Sequence, residues 1–211
     1  MYHLYCARRS AAMAAHAALE ELQTPFELHF IDVERPRPPE YLRLNPHGKV
    51  PTLVVGDDPA AASHALYQGA AILLYLADRH PEGNLAPPPG SFDRGRCDQF
   101  LFLMAEALQP AYMMHFYPER FTADPAQAPG VDAKGTELIA GVWKHLDSVI
   151  GEGPWLLGAD FSVSDLYMYM LSIWNQSHHV PLSEFADVSR TLARIGDRPA
   201  VRRMYEAVCA D

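Results

Sequence analysis

The chain has 211 residues, enough for one large domain or two small ones, with the 49% hydrophobic and 20% charged content of a globular protein. Seventeen basic and 26 acidic residues give a formal net charge of −9, which repels phosphate backbones and argues against nucleic acid as a partner. Three scattered cysteines, Cys6, Cys97 and Cys209, argue against a disulfide framework, and no run of about 18 apolar residues suggests a membrane span. In the N-terminal MYHLYCARRS the charges follow the apolar start, the wrong order for a secretory signal, so the expected location is the cytoplasm.

In chain order, Tyr2–Tyr5 reads as a short strand. Ser10 then caps an alanine-rich helix running to about Leu22. The alternation in Phe26–Val33 predicts a strand, and Glu40–Leu44 a short helix stopped by Asn45-Pro46. A β-rich run from Val50 to Val55 ends in a turn at Gly56-Asp57-Asp58. A short strand near Ala65–Tyr67 then leads into a strong helix, Ala70–Arg79. The order β-α-β-α-β-β-α predicts a mixed sheet with helices packed on it. Residues 80–91, HPEGNLAPPPGS, hold four prolines and two glycines and read as a linker. Beyond it only helical periodicity is evident: Phe92–Tyr117, Ala133–Ile150, a helix opened by Phe161–Asp165, Ser189–Arg194 and Pro199–Ala210. The predicted domains are therefore 1–80, a linker at 81–91, and an all-helical domain at 92–211.

Three segments carry chemistry. Val50-Pro51 fits a trans proline starting an edge strand. It also fits a cis bond that would leave the Val50 N–H and C=O free for an extended peptide. Gln68-Gly69-Ala70-Ala71 opens a helix whose unpaired N–H groups suit a carboxylate, although an ordinary helix start has the same residues. Tyr5–Ser10 joins a strand end to a helix start. There Ser10 is either a cap or a hydroxyl donor for a thiol. A free thiol, with a pKa of about 8.5, is only a few per cent thiolate at neutral pH, so a donor, a helix dipole and Arg8 and Arg9 would raise the nucleophile's concentration.

The runs LNPHGKVPTLVV (44–55), YQGAAILLYLADRHPEGNLAP (67–87), GPWLLGADFSVSDLYMYM (153–170) and DRPAVRRMYEAV (197–208) together resemble the glutathione transferase superfamily. The resemblance implies a thioredoxin-like N-terminal domain followed by a helical bundle. It implies that glutathione is a cosubstrate, with no metal or other cofactor, and that the protein is a homodimer. The implied reaction joins the glutathione thiolate to a small hydrophobic electrophile. Val50, before a cis Pro51, would pair with the cysteinyl part of glutathione, and Lys49 would reach its glycyl carboxylate. Gln68 and Gly69 stand where the family usually has Glu-Ser to hold the γ-glutamyl end, a departure that should weaken binding without abolishing it. Ser10 matches the catalytic serine, whereas a catalytic cysteine is not supported, and Cys6 fits a buried strand end. Tyr5, Tyr112 and His115 are candidates for lining the electrophile pocket.

Ser162-x-x-Asp165 reads as a capping-box variant with a structural role. The adjacent His178-His179 lack metal-ligand spacing and read as surface. Two further functions remain open: glutathione-dependent reduction of disulfides or peroxides, and a non-enzymatic binding or regulatory role on the same fold.

Overall fold

A computed structural model describes residues 1–175 and 180–209, so His178 and His179 lie outside the described residues. The chain forms two compact units, Met1–Ala86 with Gly196–Asp211, and Pro87–Ile195.

In the first unit, strands β1 (Tyr2–Cys6), β2 (Phe26–Phe30), β3 (Thr52–Val55) and β4 (Ala65–Tyr67) form one sheet in the order β2-β1-β3-β4. β1 runs parallel to β2 and antiparallel to β3, and β3 is antiparallel to β4. Period-two alternation sends Tyr2, Leu4 and Cys6 to one face and His3 and Tyr5 to the other. Helices α1 (Met13–Leu22), α2 (Pro39–Leu44) and α3 (Gly69–Arg79) complete the mixed α/β pattern expected from sequence. α1 buries seven successive residues, Met13–Leu19, because small alanines let it pack on several sides at once, against α3 and against the C-terminal helix.

Two strands are shorter than expected. β2 stops at Phe30 because Asp32 folds back to accept the Glu34 N–H and Pro36 and Pro38 cannot continue a ladder. β3 begins at Thr52 because Pro51 has no N–H to donate. The helix expected to follow Ser10 directly starts three residues later, at Met13, with Ala12 at the cap position.

The second unit holds α4 (Phe92–Leu103), α5 (Gln109–Phe116), α6 (Ala128–Ile150), α7 (Val163–Trp174) and α8 (Ala186–Gly196, its last residue in the first unit). The single helix expected over 92–117 is interrupted by a π-helical stretch at Met104–Leu108. Pro110 lacks the N–H that would bond the Glu106 carbonyl, and a widened turn removes the clash. α6 starts five residues earlier than expected, since Pro129 is tolerated in a first turn. α7 opens on the expected capping box: the buried Asp165 accepts N–H groups from Ser162 and Leu156, each at 2.9 Å.

The last helix, α9 (Pro199–Val208), departs from the domain division drawn from sequence, because it belongs to the first unit. Arg198 forks onto Glu21 of α1 at 2.5 and 2.8 Å, Arg203 meets Glu20 at 2.6 Å, and Cys209 rests on Met13. No helix among the described residues is long and apolar enough to cross a membrane.

Candidate functional site

Sheet register brings the three chemistry-bearing segments to one end of the first unit. Tyr5 pairs with Thr52 and Thr52 with Tyr67. The chain after β1, the chain before β3 and the chain after β4 therefore leave the sheet at the same end. These are the segments of Ser10, of Lys49-Val50-Pro51 and of Gln68-Gly69.

The loop before β3 is held by polar groups that none of the sequence patterns singled out. The Lys49 carbonyl accepts the Tyr41 hydroxyl at 2.6 Å and the Asn45 amide at 2.7 Å, and the buried Thr52 hydroxyl joins both side chains at 2.9 and 3.1 Å. Gly48, at φ +62, turns in front of them, where a Cβ would meet Arg37 at 3.0 Å. Arg37 in turn donates to the Gly48 carbonyl at 2.7 Å. This scaffold fixes the loop by its inner carbonyls. The Val50-Pro51 bond is cis, and the Val50 N–H and C=O carry no hydrogen bond among the described residues. Lys49 projects an exposed side chain from the same loop.

After β4, Gln68 takes φ 74° and ψ 112°, a left-handed backbone that L residues adopt at a cost of about 1–3 kcal/mol. Its carbonyl receives the Ile72 N–H and starts α3, but its side chain makes no cap hydrogen bond. The first N–H groups of α3, beginning at Gly69, therefore stay available at the positive end of the helix dipole. Gln68 is exposed and Gly69 half-buried.

Ser10 is occupied within its own loop. Its hydroxyl donates to the Ala7 carbonyl at 2.7 Å and accepts the N–H groups of Ala7 and Ala12 at 3.2 and 3.3 Å. Arg9, at φ 49°, ties this loop to the end of α9 through its N–H to Val208 and its guanidinium to Cys209. Cys6 is buried, and burial pushes its thiol up to about 11, so it is no nucleophile.

The three candidates for an electrophile pocket are engaged in packing. The Tyr5 hydroxyl donates to the Pro59 carbonyl at 2.9 Å, and its ring stacks on His29 and meets Tyr41. Tyr112 is fully buried, donates to Asn175 at 2.7 Å, accepts the Trp143 indole N–H at 3.0 Å, and burial raises its pKa. His115 bonds Asp132 of α6 at 2.5 Å. Tyr5 also lines a cavity of about 480 Å³ on the α2 face of the sheet, whose wall includes none of Ser10, Val50, Gln68 or Gly69.

Residues 1–78 match the family described as glutathione S-transferase, N-terminal domain. The chain is 24% identical to glutathione S-transferase GstA of Escherichia coli O157:H7, with 94% of each chain covered. It is 26% identical to the disulfide-bond oxidoreductase YfcG of Escherichia coli K12, over 86% of this chain and 84% of that protein. A sphingomonad glutathione S-transferase complexed with glutathione superposes with a TM-score of 0.82 at 27% identity, covering 97% of this chain and 98% of that one.

Proposed function

The chain belongs to the glutathione transferase superfamily, and on that premise we propose that it is a glutathione S-transferase that joins the glutathione thiolate to a small hydrophobic electrophile. One observation carries the reading: at one end of the sheet, the Val50 N–H and C=O and the first amides of α3 are free of internal partners. An extended peptide can pair with Val50 as with an added strand, while a carboxylate sits at Gly69 on the helix N-terminus. Gln68 then contacts the γ-glutamyl end and Lys49 the glycyl carboxylate.

The protein supplies binding and orientation, and glutathione supplies the nucleophile. For Ser10 to assist, its hydroxyl must turn from the Ala7 carbonyl to the thiolate sulfur. The two amides that now point at its oxygen, from Ala7 and Ala12, would still hold it in place. Lowering the thiol pKa raises the thiolate fraction near neutral pH, with part of the rate gain offset by a weaker nucleophile. A homodimer is included in this proposal.

A second reading, glutathione-dependent disulfide reduction, is favoured by the disulfide-bond oxidoreductase relative. Here glutathione would do all the thiol chemistry, since Cys6, Cys97 and Cys209 are buried. Retention on immobilised glutathione tests the shared binding step, and turnover of an activated aryl halide against a glutathione mixed disulfide separates the two reactions. No retention, together with no thermal shift at millimolar glutathione, would sink both.

A further inference from the structure

A cluster outside the glutathione region combines metal-ligand chemistry with metal-ligand spacing. β1 and β2 pair in parallel with His3 beside Glu27 and Tyr5 beside His29. His3, Glu27 and His29 therefore share one face of the sheet, near its β2 edge. His3 Nδ1 lies 3.1 Å from His29 Nε2 and 3.4 Å from a Glu27 carboxylate oxygen, and that oxygen is 3.7 Å from His29 Nε2.

Two features set this triangle apart from a surface ion pair. A point about 0.5 Å off the plane of the three atoms lies about 2.05 Å from each, within the range of zinc–nitrogen and zinc–oxygen bonds, and the edges bracket the ~3.3 Å edge of a zinc tetrahedron. In addition, His3 is 1% exposed, so its Nδ1 meets the other two donors away from bulk water. Nδ1 and His29 Nε2 share one hydrogen bond. Loss of the proton between them leaves a lone pair on each nitrogen for a metal.

We propose that His3, Glu27 and His29 form a divalent zinc-class metal site with three protein ligands and one open position. Imidazole and carboxylate donors suit zinc, and three ligands leave a fourth corner of the tetrahedron for water or an exogenous group. Partial exposure of Glu27 and His29 provides a path for the ion. A bound ion would also tie β2 to β1 and stabilise the folded state by mass action.

The test uses the full chain freed of metal by a chelator. Calorimetric titration with zinc should give one ion per chain, and zinc should raise the thermal midpoint. Cobalt should give the intense visible absorption of a tetrahedral site. His29→Gln and Glu27→Gln alter partly exposed positions, so both should fold, keep glutathione retention, and lose zinc affinity by about tenfold or more. Absence of stoichiometric binding would overturn the proposal. So would an octahedral cobalt spectrum, or unchanged zinc affinity in both variants, which would place the ion on other histidines.

Discussion

The two units use polar side chains in opposite ways. In the first, Tyr41 and Asn45, linked through the Thr52 hydroxyl, converge on the Lys49 carbonyl, and the neighbouring Val50 backbone is left unpaired among the described residues. In the second, polar groups are consumed by the core: Trp143, Tyr112 and Asn175 form a chain of hydrogen bonds, and Asp165 is enclosed by Ser162 and Leu156. A buried hydroxyl can thus restrain a loop beside an unpaired backbone segment, or serve only the stability of its helix. Partner geometry, rather than residue type, distinguishes the two.

The largest effect is expected in the second unit. Asp165→Ala leaves the buried N–H groups of Leu156 and Ser162 without an acceptor, and should cost about 3 kcal/mol in thermal or denaturant unfolding. Burial pushes the Asp165 carboxyl up to about 6 from its ordinary 3.8. A carboxyl raised by folding contributes stability that is complete below its unfolded value and lost as pH rises through the folded one. The stability difference between the wild type and Asp165→Asn should therefore move against the wild type between about pH 4 and pH 7. A pH-independent difference would remove this account of the carboxyl.

Tyr112→Phe comes next, at about 2 kcal/mol, since Trp143 loses its acceptor and Asn175 its donor. Its affinity for glutathione should be unchanged. Weakened binding at unchanged stability would break the contrast between the units.

Smaller effects belong to the first unit. Gln68→Gly should stabilise the fold by about 1 kcal/mol by relieving the left-handed backbone, while weakening glutathione binding. Full binding without the side chain would show that the α3 amides suffice. Ser10→Ala should cost about 1 kcal/mol through its loop bonds to Ala7 and Ala12. If the hydroxyl also serves the thiolate, conjugation should slow more at about pH 6.5 than at about pH 9. An equal loss at both values would leave Ser10 with the loop alone.

Legibility from sequence follows the range of the interactions. Backbone signals act locally, so Val50-Pro51, the glycine at the start of α3 and the Ser162–Asp165 box mark their positions within a few residues. The Tyr41–Asn45–Thr52 cluster was not legible, because Asn45-Pro46 announces only a helix stop, while its bonds depend on where β3 lies. The placement of α9 was hidden for the same reason: Arg198 and Arg203 meet Glu21 and Glu20 across more than 170 positions. Pro110 did signal the π-helical interruption, but strong helical periodicity around it masked the break. Within FELHF, alternation already puts Glu27 and His29 on one face, and only the β1–β2 register adds His3.

The central claim is that glutathione is held by the unpaired backbone at the end of the first unit's sheet. Amide NMR of the full chain titrated with reduced glutathione tests it most directly. The account predicts saturable shifts at Val50, Gly69 and Ala70, with the amides around Tyr112 and Asp165 unmoved. Saturable binding that leaves Val50 and Gly69 unshifted, or shifts confined to residues 87–195, would contradict it.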